Sequence, residues 1–185
     1  MNESVDVVWL GRGGQGAVTA ASLLAQAAVL RGKYALAIPF FGAERRGAPV
    51  FAYTRIADGT ILSRARVKRG DILAVLDPSL LGQVNVESLL KPGGRIVINT
   101  GGRRIEVGAR GEAYCVDAVS IADSLGLRLA GIVLVNMPMV GAVGRVYGGV
   151  GLPDLESAVK EVIKVHVERN VEAVKRGWEG VGHCE

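Results

Sequence analysis

Val5-Asp6-Val7-Val8-Trp9-Leu10 runs directly into Gly11-Arg12-Gly13-Gly14-Gln15-Gly16, and a charge-free stretch rich in Ala and Leu follows to Leu30. The first run is short, apolar and rich in Val, which is the pattern of a buried, central parallel strand. The glycines then open a helix over 14–30, and Arg31-Gly32 supplies its stop signal. A strand, a glycine turn and a helix in that order predict an α/β sheet. A helix in a lone domain usually leaves one face wet. One without charge is therefore either central in a three-layer fold or covered by another subunit.

Working outward, Tyr34 to Ile38 reads as a strand closed by Pro39, and Val50 to Ile56 as another closed by a hairpin turn at Asp58-Gly59. Asp71 to Leu76 is a strand stopped by Asp77-Pro78, and Arg95 to Asn99 is entered through Pro92-Gly93-Gly94. Short helices are expected between these two. Tyr114 to Asp117 reads as a last strand, and Ala118 to Leu125 as a helix stopped by Gly126. Gly141 to Gly151 is expected to break regular structure. One final helix then starts at Pro153, with Leu155, Val159, Ile163, Val167, Val171 and Val174 as its core stripe and balanced charges elsewhere. The expected architecture is a three-layer α/β/α open sheet, mostly parallel but mixed, Rossmann-like, in a single domain.

Composition narrows the function. The chain has 185 residues with 22 Lys+Arg against 18 Asp+Glu, 49% hydrophobic residues and a mean hydropathy of +0.31. This is one mildly basic domain, too apolar for disorder. It is apolar enough to suggest a surface covered by a partner. No signal peptide or membrane anchor is expected. Cys115 and Cys184 lie far apart without C-x-x-C spacing, so neither a disulfide framework nor a zinc or iron–sulfur site is expected from them, and a reducing cytoplasm fits.

Gly11 to Gly16 satisfies G-x-G-x-x-G between a strand and a helix, the context of a dinucleotide fingerprint. Dinucleotide binding also calls for an acid at the end of the second strand. That place reads Leu36-Ala37-Ile38-Pro39, and the first acid after the loop is Glu44. Two readings remain: the loop binds some other phosphate-bearing group, or its glycines permit close packing of the first helix. A stand-alone NAD-binding protein is the weaker alternative.

A second segment, Pro39-Phe40-Phe41-Gly42-Ala43-Glu44-Arg45-Arg46-Gly47-Ala48-Pro49, combines aromatics, arginines and glycines in one loop, a mix that suits an interface. Between 44 and 70, Arg45, Arg46, Arg55, Arg64, Arg66, Lys68 and Arg69 face only Glu44 and Asp58. That excess could attract a phosphate or an acidic subunit, or be a solvated face. Nucleic acid is disfavoured, because no recognition motif accompanies the charge and aromatics are few. Catalytic groups are scarce. His166 reads as a helix-surface histidine, and His183-Cys184-Glu185 as a frayed end. Asp77-Pro78, at the carboxyl end of a strand, is a plausible site edge in an open sheet. No nucleophile–histidine constellation and no G-x-S-x-G elbow is present.

The Gly11–Ala21 stretch, the Phe41–Pro49 loop and Val135-Asn136-Met137-Pro138-Met139-Val140-Gly141-Ala142 together resemble the gamma subunit of pyruvate:ferredoxin oxidoreductase and related 2-oxoacid:ferredoxin oxidoreductases. The likeness runs from Val5 to the end of the final helix. It implies a gamma-type domain over 1–177 and a tail over 178–185. It implies an oxidoreductase that converts pyruvate and coenzyme A to acetyl-CoA, CO2 and reduced ferredoxin, with this chain inactive alone. The complex would use thiamine diphosphate, Mg, four-iron four-sulfur clusters and coenzyme A, carried mainly elsewhere. Implied partners are alpha, beta and delta subunits or fused equivalents, and ferredoxin through the complex. Implied site residues are Gly11, Arg12, Gly13, Gly14, Gln15 and Gly16, with Glu44, Arg45, Arg46, Gly47 and Asn136, for an interface or coenzyme A. Family members often read Ser-Phe-Gly-Pro where this chain has Phe40-Phe41-Gly42-Ala43. Glu44 to Pro49 is more like the pyruvate or branched-chain type than the 2-oxoglutarate type, so a 2-oxoisovalerate or 2-oxoglutarate enzyme is the alternative within the family.

Overall fold

The computed structural model describes residues 4–40, 48–107 and 111–184. Among these, seven strands form one mixed sheet in the order β2-β3-β1-β4-β5-β6-β9. The strands are β1 (Ser4–Arg12), β2 (Tyr34–Phe40), β3 (Pro49–Ala57), β4 (Gly70–Val75), β5 (Leu90–Asn99), β6 (Glu112–Val116) and β9 (Gly182–His183). β1, β4, β5 and β6 run parallel, whereas β3 is antiparallel to both β1 and β2. The mixed α/β sheet expected from the sequence is present.

Helix α1 (Ala17–Leu30) follows the glycine turn. Its C-terminus closes as the Arg31-Gly32 signal requires: Gly32 at φ 85° donates to the Val29 carbonyl and Lys33 to that of Ala28. Behind it the sheet presents Val7, Trp9, Ala52, Ile56, Ile72, Ala74 and Val97 in one continuous core. A buried chain of hydrogen bonds ties the layers: Trp9 Nε1 donates to Thr54 Oγ1 (3.0 Å), and Thr54 Oγ1 donates to the Ala21 carbonyl (2.9 Å). The outer side of α1 is covered by α4 (Asn136–Tyr147) and α5 (Leu152–Val162). Of the two explanations for an uncharged helix, the central position is the one found. No second chain is needed to cover it.

The opposite sheet face, with Val8, Leu10, Leu73, Val75, Ile96 and Ile98, is covered more thinly. It meets Val67 of the 58–69 connection, the 3₁₀ helix Pro78–Gly82 and the short α2 (Val86–Leu89). Helix α3 (Ala118–Ser124) follows β6, its N-terminus capped by Asp117 Oδ1 accepting from Ser120 N. Gly126, at φ 66°, follows its end.

Four expectations need correction. The 58–69 segment is not a hairpin: β3 leads across to β4 on the far side of β1, while the hairpin-like pair is β2 with β3. Gly141 and Gly144 lie inside α4 rather than in a break. Their lack of a side chain serves packing: a Cβ on Gly141 would stand 1.9 Å from the Val174 carbonyl, and one on Gly177 2.0 Å from that of Pro138. The final helix is two, α5 and α6 (Val167–Gly180), separated at 163–166, where His166 takes a left-handed φ of 53°. Their apolar positions stay in phase across the bend, so periodicity alone reads them as one. Finally, the chain end is tied down. Residues 178–180 complete α6, β9 pairs antiparallel with β6, and Cys184 forms a disulfide with Cys115. The 69-residue separation that argued against a bridge is closed because α4, α5 and α6 return the end of the chain to the sheet edge. A small hairpin lies outside the main sheet: β7 (Arg128–Leu129) and β8 (Ile132–Val133) join through Ala130 and Gly131, both at positive φ.

Candidate functional site

The carboxyl ends of β1, β4 and β5 lie side by side, and the glycine loop caps them. In the loop, Gln15 N donates to the Arg12 carbonyl (3.2 Å) while Gln15 Oε1 accepts from Arg12 N (2.7 Å), so the turn is closed on itself. Gly14 and Gly16 both need positive φ, 87° and 81°. Gly16 also needs to be small: a Cβ there would lie 2.4 Å from Asn136 Nδ2. Asn136, buried at the start of α4, uses Oδ1 to accept from Met137 N (3.1 Å). The structure thus brings Asn136 against the glycine loop, joining two of the segments singled out in the sequence.

Arg12 reaches sideways. Its Nε donates to Asp77 Oδ2 (2.8 Å) and its Nη2 to Ser79 Oγ (2.8 Å). Asp77 in turn accepts from Ser79 N and Oγ, starting the 3₁₀ helix. Partial burial pushes the Asp77 carboxyl upward, but the Ser79 hydrogen bonds and the Arg12 guanidinium outweigh it and hold the pKa below the ordinary value. Next to this pair, Asn99 is buried and bonded at both ends of its amide: Nδ2 donates to the Leu76 carbonyl, and Oδ1 accepts from Gly101 N and Ala118 N. A crevice of about 620 Å³ opens here, lined among others by Gln15, Asp77, Ser79, Asn99, Thr100 and Arg103. Ligands of open α/β sheets bind at such a place, outside the carboxyl ends of the strands. On the other side of the loop a more apolar pocket of about 760 Å³ includes Gly14, Val18, Asn136, Leu134, Ile163 and Val165.

The strand order around the loop differs from that of a dinucleotide fold. The strand beside β1 on the side of β2 is β3, which is antiparallel, and β2 itself ends at Pro39-Phe40 one strand further out. Among the described residues no acid is placed at the end of β2 or beside the loop on β3 to hold a ribose, and the acid beside Arg12 is engaged in an ion pair.

The basic stretch divides. Arg55 is largely buried, donating from Nε to Asp6 Oδ1 (2.7 Å) and from Nη2 to Oδ2 (3.2 Å), and that hydrogen bonding raises its pKa. Arg66 donates to Tyr53 Oη (2.9 Å) and stacks over Phe40 at 4.4 Å. Arg64, Lys68 and Arg69 are exposed. The interface candidates Glu44, Arg45, Arg46 and Gly47 lie outside the described residues. No group of three metal-ligating side chains occurs among the described residues, and both cysteines are spent in one disulfide. A cubane cluster, which takes four thiolates, does not fit this chain's own donors. No helix is long and apolar enough to cross a membrane among the described residues.

A parallel sheet core with a glycine turn, an Arg–Asp clasp and an open crevice at the carboxyl ends of its strands defines an α/β domain of the open-sheet class. The sequence model for pyruvate ferredoxin/flavodoxin oxidoreductase matches residues 6–180. The common gamma subunit of the pyruvate/ketoisovalerate oxidoreductases of Thermococcus litoralis is 41% identical over 181 residues, covering 95% of this chain and 96% of that one. The PorC subunit of pyruvate synthase from Methanocaldococcus jannaschii is 42% identical over 172 residues, covering 92% and 93%. The crystal structure of the PORC subunit of pyruvate oxidoreductase from Thermotoga maritima superposes with a TM-score of 0.80 at 34% identity, covering 99% of both chains. The chain belongs to the pyruvate ferredoxin/flavodoxin oxidoreductase family, and within it to the gamma-subunit type.

Proposed function

We propose that this chain is the gamma subunit of a pyruvate:ferredoxin oxidoreductase, working in the cytoplasm with alpha, beta and delta subunits or their fused equivalents. The assembled enzyme oxidatively decarboxylates pyruvate with coenzyme A, giving acetyl-CoA, CO2 and reduced ferredoxin. Thiamine diphosphate with Mg and four-iron four-sulfur clusters supply the carbanion and electron-transfer chemistry, held by the other subunits. The observation that carries the reading is the end-to-end match to gamma subunits at about 40% identity. Relatives named as a subunit common to pyruvate and ketoisovalerate enzymes support a chain that leaves substrate choice to its neighbours.

This chain's own residues form one wall of the reaction region. Gly11 to Gly16 and Asn136 hold the first helix close against α4. Arg12 is kept rigid by Asp77. Glu44 to Gly47 contact a neighbouring subunit or the phosphates of coenzyme A, with Arg45 and Arg46 as the charged groups. Copurification tests the assembly: a tagged full-length chain expressed with its source's other subunits is expected to bring down larger chains carrying iron and thiamine diphosphate. In that complex, replacing Arg45 and Arg46 by Ala is expected to raise the KM for coenzyme A with kcat little changed. A chain that alone consumed pyruvate in the presence of an electron acceptor, or an active complex isolated without it, would overturn the reading.

A further inference from the structure

The disulfide at the sheet edge sits beside an arginine-lined hollow. Cys115 in β6 forms part of the wall of a cavity of about 350 Å³ whose other lining residues are Thr100, Arg103, Arg104 and Ile105. The 100–105 turn is fixed from within by Asn99 and Thr100: Gly101 N donates to Asn99 Oδ1, and Arg103 N to the Thr100 carbonyl. Both arginines are exposed, and neither is in an ion pair among the described residues. The other half of the bridge, Cys184, is held weakly. It follows the two-residue strand β9 and is secured by its own N–H to the Ala113 carbonyl (2.9 Å) and by the neighbouring His183, whose ring lies 4.6 Å from that of Tyr114.

We propose that the Cys115–Cys184 bridge is a thiol-exchange site for small anionic thiols, which Arg103 and Arg104 draw into the hollow. Exchange requires a thiolate at one sulfur, a leaving sulfur that can depart, and access. The hollow gives access to Cys115, and two guanidinium groups raise the local concentration of an anionic thiolate. The thiolate sulfur bonds to Cys115 Sγ and the S–S bond breaks, with its electron pair going to Cys184, which takes a proton from water. A second thiolate attacks the external sulfur of the mixed disulfide and releases the symmetrical small disulfide and the Cys115 thiolate. Two thiols are oxidised and one protein disulfide is reduced. The tail from Gly182 onward is then held only by its short β9–β6 pairing, the Cys184 N–H bond and the His183–Tyr114 contact, and where these give way β6 becomes an edge open to pairing.

The test uses the full chain purified without reductant. It is incubated at low ionic strength with equal thiolate concentrations of 2-mercaptoethanesulfonate, 2-mercaptoethanol or cysteamine, then acid-quenched, alkylated and analysed by mass spectrometry. With each rate divided by the same thiol's rate on a small neutral disulfide, which removes differences in intrinsic nucleophilicity, the sulfonate is expected to react at least about threefold faster than the alcohol and the amine slower still, with the early adduct on the Cys115 peptide. The R103Q/R104Q variant and about 0.5 M NaCl are each expected to bring the three rates together. An R64Q control, at an exposed arginine elsewhere, is expected to keep the ordering. Equal rates in the unmodified chain, an ordering that survives R103Q/R104Q, adducts confined to Cys184, or two free thiols at the outset would each overturn the proposal.

Discussion

Arg12 Nε lies 2.8 Å from Asp77 Oδ2, so the last residue of β1 is clasped to the residue that starts the 3₁₀ helix after β4. The two parallel strands are thereby fixed to each other at the rim of the crevice. The sequence offers Arg12, inside the glycine loop, as a candidate for a phosphate. In the folded chain its guanidinium is engaged by its own carboxylate partner, and its contribution is first to shape.

That clasp titrates. Because the folded pKa of Asp77 lies below its unfolded value of about 3.9, the contribution is complete above that value and fades as pH falls through the folded pKa. D77N is expected to lose about 1 kcal/mol near neutrality, since the pair is partly exposed. The gap between the unmodified chain and D77N is expected to be constant from about pH 6 to 8 and to shrink below about pH 4. Urea unfolding at a series of pH values measures it. A gap that widened in acid would contradict the assigned direction.

Gly16 sets the approach of α1 to α4. An alanine there carries a left-handed φ, worth roughly 1–2 kcal/mol of strain, and drives its Cβ to within 2.4 Å of Asn136 Nδ2. G16A is expected to cost about 3 kcal/mol in total, the clash adding to the strain. In an N136A background the same change is expected to cost little more than the strain, since only the Cβ of residue 136, 3.2 Å away, remains close. A double-mutant cycle by denaturant unfolding isolates the difference. Additive costs would show that the two segments do not depend on each other.

The inner half of the domain was legible in the sequence because its signals are local. A Val-rich run ending in glycine marks β1, a Val/Leu run stopped by Asp77-Pro78 marks β4, and Arg31-Gly32 ends α1 where the Schellman bonds close it. What was not legible depended on partners distant in sequence. Gly141 and Gly144 looked like breakers because their purpose, contact with the backbone of α6 and the side chain of Leu155, lies outside the segment. Cys115 and Cys184 could not be paired from spacing, because only the fold brings the chain end to β6. At the candidate site, the contact of Gly16 with Asn136 bridges 120 residues of chain, and the one hint of it was that both segments belong to the same family likeness. Position 55 taught the opposite lesson. Arg55 was counted with a basic surface, yet a carboxylate on the neighbouring strand claims it.

That pair is mostly buried, with side-chain exposures of 14% for Arg55 and 9% for Asp6. Removing one partner leaves an uncompensated buried charge, which typically costs about 3–5 kcal/mol. R55M is therefore expected to cost about 3 kcal/mol, and D6N/R55M to recover much of it. About 1 M salt is expected to change the coupling little, because a buried pair is poorly screened. Thermal unfolding of the four combinations measures this. An R55M variant as stable as the unmodified chain would mean that Asp6 reaches water by another path.

The crossing of α4 and α6 makes the most demanding test of the fold, because here two glycines allow backbone to touch backbone. A Cβ on Gly177 would stand 2.0 Å from the Pro138 carbonyl oxygen, and no rotamer change can relieve a clash with main chain. G177A is expected to cost about 3 kcal/mol or more, since the helices must move apart along their length. Gly180, near the end of the same helix, is the internal control: a Cβ there meets nothing within 4 Å. G180A removes a flexible residue from a helix and is expected to be neutral or stabilising by up to about 1 kcal/mol. The two substitutions are chemically identical and three residues apart, so helix propensity alone predicts the same sign for both. Opposite signs in a thermal melt would show that α6 is held by close approach to α4 and not by its propensity. Because α6 leads into β9, G177A is also expected to speed reduction of the Cys115–Cys184 bridge by a neutral thiol, whereas G180A is not.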